Sequence, residues 1–242
     1  MYFSIDQWCA WAPGLESAAD WNLWLAAQPA ALPAGALPSV SFLPAMQRRR
    51  LGALGRMLFH VAWPLAEGQP AMPLVFVSRH GETPRTLAVL QALAADEPLS
   101  PTQFSLSVHN AIIGQWSILR ADTSEMTALA GEGDGLEHGV LEALSLLAEG
   151  ASSVLLVVAE EAPPHLYRCF IDDVPCAYAL ALRLVPGRDW QLQLGTGQGP
   201  RAPWPHGFSL LQALTDGPSA APLRTFTHYW NSRQWTWSRN KG

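Results

Sequence analysis

The chain has few charged residues and few cysteines for its length. Of its 242 residues, 14% are charged and three are cysteine, whereas 49% are hydrophobic and eleven are tryptophan. So little charge leaves less polar surface than a monomeric domain of this size carries, which predicts that a partner subunit covers part of the apolar surface. The length suffices for one sizeable core, and a single α/β domain over residues 1–242 is the simplest interpretation.

Other deficits exclude whole classes of function. The formal net charge of −5 argues against a nucleic-acid partner, and the basic run at residues 48–50 is too small to bind one. Cys9, Cys169 and Cys176 have neither a zinc nor a disulfide spacing, which predicts small core residues, no metal and no cofactor. No run of about 18 apolar residues occurs and no basic leader precedes one, so we expect no membrane span and a cytoplasmic location.

Hydrophobic spacing predicts helices alternating with buried strands. Apolar residues recur at three- and four-residue steps over residues 46–61, 84–95 and 136–147, which indicates three amphipathic helices. Residues 73–78 and 154–158 are short apolar runs, typical of strands covered on both faces. The segments 168–172, 177–184 and 190–194 are strand-like and separated by glycine and proline turns. The aromatic tail with Trp230, Trp235 and Trp237 is compatible with a surface strand, a partner-binding segment or a disordered end.

The most informative stretch lies between the first predicted strand and the third helix. It contains Ser107, His109 and Asn110 in the run Ser-Val-His-Asn-Ala, followed by Gly114 and Ser117. Ser-Pro-Thr at residues 100–102 and Phe104 precede it. This stretch resembles the core of a ketoacyl synthase. Weaker likenesses at residues 11–14, 43–51 and 154–160 extend the resemblance from Ser4 to about Glu160.

The resemblance implies a layered, thiolase-like α/β/α fold with a mixed sheet, truncated relative to a full ketoacyl synthase. Residues 1–160 are the best-matched core, and residues 161–242 add further strands and the aromatic tail. Synthases of this kind bear an acyl-accepting cysteine in a sharp turn between a strand and a buried helix, where the helix N-terminus lowers the pKa of the thiol.

The turn equivalent to the cysteine turn contains no nucleophile. It spans residues 131–135, and counting from the flanking motifs puts the cysteine position at Gly133, or at Glu132 with an offset of one residue. Neither residue can form a thioester. Two further histidines of the full enzyme also need counterparts, and His206 and His228 stand in no matching motif. All three catalytic roles therefore look vacant.

The resemblance is to a subgroup found beside aryl polyene pigment genes, and it implies a chain-length factor of a type II polyketide synthase. Such a subunit is not catalytic alone; it pairs with an active ketoacyl synthase and shapes the acyl tunnel in fatty-acid or polyketide biosynthesis. An acyl carrier protein would be reached through the complex. The dimer interface is predicted at Thr127, Ala128, Leu129 and Ala130. Phe104 and Trp116 are predicted to border the tunnel.

A rival hypothesis rests on the Arg-His-Gly-Glu-Thr string that begins at Arg79. It resembles the phosphate pocket of histidine phosphatases, in which His80 would attack a phosphoryl group that Arg79 neutralises. The remaining histidines do not complete that family's pattern, which favours a loop after a strand. For His109, hydrogen bonding in the core is favoured over catalysis.

Overall fold

A computed structural model describes residues 1–27, 31–32, 35–215 and 225–240. A mixed seven-stranded sheet lies between two layers of helices, which confirms the predicted α/β/α architecture. In chain order the elements are β1 (Tyr2–Trp11), α1 (Ala18–Ala27), α2 (Ala45–Arg48), α3 (Ala53–Ala66), β2 (Leu74–Val77), α4 (Thr83–Ala94), α5 (Pro101–Ser105), α6 (Ala111–Arg120), β3 (Met126–Leu129), α7 (Gly135–Ala148), β4 (Val154–Glu160), a 3₁₀ turn (His165–Tyr167), β5 (Tyr178–Thr196), α8 (His206–Thr215), β6 (Thr225–Trp230) and β7 (Arg233–Arg239).

The sheet runs in the order β3-β2-β4-β5-β7-β6, and β1 pairs with the first part of β5. Strands β3, β2 and β4 are parallel, whereas β5, β7 and β6 are antiparallel to their neighbours. The parallel strands end at the same edge of the sheet. The loops that follow β2, β3 and β4 therefore meet there, and they form the candidate site.

Alternate residues of the central strands supply two separate cores. Leu74 and Phe76 of β2 face the layer that contains α3 and α6, while Val75 and Val77 face the layer with α1, α7 and α8. Every residue of β2 and β4 is buried, as predicted for strands covered on both faces. Among the described helices, none has the length and apolar character needed to cross a membrane.

Four local predictions were wrong. Residues 168–172 form no strand; they follow the 3₁₀ turn at His165–Tyr167, and Phe170 is 82% exposed. The segments 177–184 and 190–194 belong to one strand, β5, because the register of β1 shifts opposite Pro186 and Gly187 and absorbs the irregularity as a bulge. The helix predicted at 46–61 is interrupted between α2 and α3. Cys169, predicted to be a core residue, is exposed.

The aromatic tail is the hairpin β6–β7, joined to the sheet through β5. Trp235 and Trp237 alternate with polar residues along β7, and both are fully buried. Their side chains therefore enter the α7 side of the core. Of the three alternatives for this segment, the structure shows strands with a buried inner face.

Candidate functional site at the turn before α7

The vacant turn has the strand-turn-helix geometry expected from the sequence. Strand β3 ends at Leu129, a tight turn follows, and α7 begins at Gly135. Gly131 packs so closely against the backbone of Gly135 that a Cβ atom there would overlap it. The turn can therefore be this sharp only with glycine at that position.

Gly133, the position predicted for the missing nucleophile, lies beneath the indole ring of Trp230. A Cβ atom built at Gly133 would fall well inside van der Waals contact of three carbon atoms of that ring. Trp230 is the last residue of β6, and the guanidinium of Arg201 stacks on its ring at 4.3 Å. Residues 131–135 include no cysteine, serine or threonine, and the ring of Trp230 occupies the space that a side chain at Gly133 would need.

Glu132, the alternative position, is engaged in holding the hairpin. Its Oε2 accepts hydrogen bonds from Trp230 Nε1 at 2.7 Å and from Arg233 Nη2 at 3.0 Å. These hydrogen bonds, that of Trp230 first, lower the pKa of Glu132 from its ordinary value. An ionised carboxylate with two fixed donors is an anchor for the tail rather than an acyl acceptor.

Asp134 repeats this arrangement in the interior. The carboxylate is fully buried, and it accepts from Arg233 Nε at 2.6 Å, from Arg233 Nη2 at 3.0 Å and from Trp235 Nε1 at 2.8 Å. It immediately precedes α7, where a negative charge is favoured by the helix dipole. The bidentate contact with Arg233 ties the hairpin to the start of the helix.

Glu137, in the first turn of α7, is fully buried and contacts both of the histidines that the sequence left unassigned. His206 Nδ1 lies 3.0 Å from its oxygens, His228 Nδ1 lies 2.9 Å from Oε1, and Trp237 Nε1 donates to Oε1 at 3.1 Å. The imidazole rings stack with centroids 3.9 Å apart. Burial raises the pKa of Glu137, but interactions with His206 and His228 outweigh that effect and hold it below its usual range.

A small cavity lies behind the turn. Its volume is about 30 Å³, enough for about one water molecule. Its walls include Gly133, Glu160, Asp173, Tyr178 and His206. Desolvation raises the pKa of Glu160 to about 7, against the lowering effect of its hydrogen bond from the Arg79 amide. The space is too small for an acyl group.

Arg79 and His80 both contact the carboxylate of Asp173. The Arg79 guanidinium forms an ion pair with Asp173, and His80 Nε2 lies 3.4 Å from the same side chain. Burial opposes ionisation of Asp173, but hydrogen bonds from His80 and Arg79 prevail and lower its pKa to about 2. A carboxylate therefore lies where the histidine-phosphatase hypothesis needs a phosphate, and like charges repel.

The motif that carries the family resemblance packs against the end of β2. His109 Nε2 lies 2.6 Å from the carbonyl oxygen of Ser78, which suits the hydrogen-bonded role favoured for it. Ser107 Oγ donates to the Phe104 carbonyl, and Ser117 Oγ donates to that of Asp122. Asn110 directly precedes α6, and Gly114 has open space around it. These contacts hold α5 and α6 in place.

The two predicted tunnel residues lie in different surroundings. Phe104 on α5 is 59% exposed, whereas Trp116 on α6 is buried with its ring 5.3 Å from that of Phe59 and 6.0 Å from that of Trp63. The predicted interface residues Thr127, Ala128 and Leu129 form β3 at the edge of the sheet, and Ala130 follows them. Beside them lies an open groove of about 610 Å³ between Ala130 and the outer face of α7.

The sequence did not identify the residues that close the site. Trp230, Arg233, Asp134 and Glu137 carry no motif, and Trp230 is 98 residues from the glutamate it binds. One signal was available. Tryptophan alternates with polar residues at 235 and 237, which predicts a strand with one buried face. Asp134 and Glu137 are three residues apart at the start of a predicted helix, which places both carboxylates on the same face.

Comparison with known proteins places this geometry in context. The family described as "Beta-ketoacyl synthase, N-terminal domain" matches residues 21–238. The chain is similar to a chain in the structure of the ketosynthase ApeO in complex with its chain length factor ApeC from Xenorhabdus doucetiae, with a TM-score of 0.88, 30% identity and coverage of 99% of this chain and 100% of that one.

More distant structures share the fold. The ishigamide ketosynthase/chain length factor gives a TM-score of 0.64 at 14% identity, covering 81% of this chain and 68% of that chain. A type II polyketide synthase complex of an acyl-carrier protein with its ketosynthase gives 0.72 at 8% identity, covering 99% of each chain. No curated protein matches. Neither the family match nor these structures support the phosphatase alternative. The chain belongs to the family of β-ketoacyl synthase N-terminal domains.

Proposed function

We propose that this chain is the non-catalytic, chain-length-factor subunit of a type II ketosynthase, working in the cytoplasm on a polyketide or fatty acyl chain. The observation that carries the proposal is the cover of Trp230 over Gly133. A condensing enzyme must hold its acyl group covalently. Here the position for that bond is a glycine, and a tryptophan occupies the space in front of it.

The comparisons support pairing with a catalytic partner. The relative at 30% identity over its whole length comes from a complex of a ketosynthase with its chain length factor. We infer that this chain forms the same kind of heterodimer. It would then receive the acyl chain from the partner's cysteine, and the acyl carrier protein would deliver substrate to the complex rather than to this subunit.

The open edge of β3 is the proposed interface. Within the described part of the chain, β3 pairs with β2 on one side and has no strand on the other. Its four residues are half-buried and uncharged, a combination that an isolated protein avoids at an exposed edge. Pairing of this strand with its counterpart in the synthase would satisfy its free backbone groups.

A second apolar surface lies on α4 and α5. No residue of α4 is buried, and two of its leucines are largely exposed, Leu90 at 47% and Leu93 at 60%. Phe104 on the adjoining α5 is exposed as well. An amphipathic helix gains little stability without an apolar surface to pack on, so we propose that the synthase covers this face.

We propose that Phe104 borders the acyl tunnel, because it is exposed on the face that the partner would cover. Trp116 would influence the tunnel wall indirectly, because its ring is buried in the core beneath α6. Larger side chains at the tunnel wall would shorten the product by steric exclusion; forcing an extra methylene into a closed space costs about 1–3 kcal/mol.

Acylation tests the proposal directly. The chain and a ketosynthase encoded beside it are produced separately and together, then incubated with an acyl donor and malonyl-loaded carrier protein. Intact mass spectrometry is expected to find the acyl group on the synthase and none on this chain. Elongated product is expected only from the mixture. The matched control is a synthase with its cysteine replaced, which should abolish product. Acylation of this chain, at Cys169 for example, or elongation by the chain alone would overturn the proposal.

The proposed pairing of β3 with the synthase can be tested by a single substitution. The carbonyls of Glu125 and Leu129 accept hydrogen bonds from β2, so by alternation the amide of Ala128 points to the open edge. Ala128→Pro removes that donor while leaving the bonds to β2 intact. We expect at least a roughly tenfold loss of affinity for the synthase by calorimetry, since a ladder of hydrogen bonds is interrupted.

The control for this experiment is Ala128→Val, which retains the amide and suits a strand. Both variants should show the thermal transition of the parent chain by circular dichroism. Equal affinity of the proline and valine variants for the synthase would show that β3 does not pair across the interface.

A further inference from the structure

We propose that Glu137, His206 and His228 bind a divalent transition-metal ion of the zinc class. The three residues come from α7, α8 and β6, so no sequence motif joins them. The inference is independent of the proposed function, because a bound ion would link the β6–β7 hairpin to α7 and α8 whether or not the chain pairs with a synthase.

Glu137 is a buried acidic group whose charge only imidazoles and an indole face among the described residues. Its carboxylate is fully buried, and among the described residues no lysine or arginine pairs with it; its partners are two imidazoles and an indole. Buried charges in proteins are paired or coordinate metals. A metal cation held by the same three side chains would pair with this carboxylate directly.

The donor atoms are already close to coordination distances. One nitrogen from each histidine and one carboxylate oxygen all lie within 4.8 Å of one another. Both Nδ1 atoms lie 2.9–3.0 Å from a glutamate oxygen. A tetrahedral zinc ion with bonds of about 2.0–2.1 Å separates its ligand atoms by roughly 3.3–3.4 Å. An outward shift of a few tenths of an ångström at these contacts would admit the ion.

The surrounding residues suit such a site. An ion bound at Nδ1 requires the ring proton on Nε2, and His228 Nε2 is buried without a partner among the described residues. The change of tautomer therefore breaks no hydrogen bond at Nε2, but it leaves a buried N–H there without an acceptor, a cost that the bond to the metal must offset. Trp237 Nε1 donates to Glu137 Oε1, an outer contact of the kind that orients metal-binding carboxylates.

A fourth ligand can come from water. His206 also lines the cavity of about 30 Å³ behind the vacant turn, which has room for about one molecule. Glu160, Asp173 and Arg79 line the same cavity, so it offers polar partners for a water molecule. Two imidazoles, one carboxylate and one water constitute a ligand set known for zinc.

The test uses the full chain, purified in chelator, loaded with Zn²⁺ or Co²⁺ and passed through a desalting column. Elemental analysis is expected to find about one ion per chain, Co²⁺ to give the visible absorption of a tetrahedral site, and Zn²⁺ to raise the melting temperature by several degrees. His206→Ala and His228→Ala should each lose the ion. Glu137→Gln keeps the shape of the side chain and should weaken binding at least tenfold.

His138→Ala is the matched control, because His138 neighbours Glu137 on α7 but its side chain is 40% exposed. It should bind as the parent chain does. Folding of every variant is checked by circular dichroism, and Glu137→Gln remains informative if the alanine variants unfold. Less than about a tenth of an ion in the parent chain would overturn the proposal, since a structural zinc site binds stoichiometrically. Binding that survives in folded His206→Ala and His228→Ala would overturn it equally.

Discussion

Replacing Glu137 by leucine is expected to lower the free energy of unfolding by about 3–5 kcal/mol, because the change leaves several buried donors without their acceptor. His206, His228 and Trp237 all direct N–H groups at this carboxylate. Leucine offers none of them an acceptor, and water cannot reach them. Urea denaturation of the chain in chelator-containing buffer, followed by tryptophan fluorescence, measures the loss.

Two controls make that result interpretable. Glu142→Leu alters the same helix at a half-buried position, where Glu142 accepts one hydrogen bond from Thr127, and should cost about 1 kcal/mol or less. Glu137→Gln keeps one acceptor oxygen and should fall between the two. If Glu137→Leu were no more destabilising than Glu142→Leu, the cluster would contribute little to the attachment of the tail.

The stability conferred by Glu137 should depend on pH in a definite direction. Its pKa is lower in the folded chain than the ordinary value of 4.5, so the folded state favours the carboxylate. That contribution is complete above pH 4.5 and is lost as pH falls below it. The difference in stability between the parent chain and Glu137→Gln should therefore shrink on acidification.

Local patterns were sufficient to predict the centre of this fold. The apolar runs at β2 and β4 and the helical spacing in α7 are properties of a few consecutive residues, and the structure confirms them. The sequence also shows that residues 131–135 contain only glycine and acidic residues, and the family resemblance predicts that this turn is the position of the nucleophile.

Contacts between distant segments could not be predicted in this way. Pro186 and Gly187 indicate a break when taken alone, yet pairing with β1 holds β5 together across them. The acidic residues at 132, 134 and 137 were unassigned because their partners lie in the tail, about a hundred residues further on. The alternation of tryptophans in β7 indicates a buried face but does not say which surface it covers. Only the sheet order places that face on α7.

The cover over the vacant turn leads to a prediction about restoring a nucleophile. Gly133→Cys alone should not yield a reactive thiol, because its Cβ atom collides with the ring of Trp230. Combining it with Trp230→Ala removes the ring and should expose a thiol just before the N-terminus of α7, where the helix dipole favours the thiolate. We expect alkylation by iodoacetamide at least about tenfold faster in the double variant, since reaction requires an accessible thiolate.

The native cysteines determine how this comparison must be made. Desolvation raises the pKa of Cys9 to about 11 and that of Cys176 to about 12, so both should react slowly near neutral pH. Cys169 is exposed and is replaced by serine in every variant. Trp230→Ala with Gly133 retained reports any background labelling that the lost ring causes elsewhere. Equal labelling of Gly133→Cys with and without Trp230 would mean that the indole does not close the site. Labelling confined to the double variant would show that two changes separate this fold from a turn able to hold an acyl group, one that supplies the sulfur and one that makes room for it.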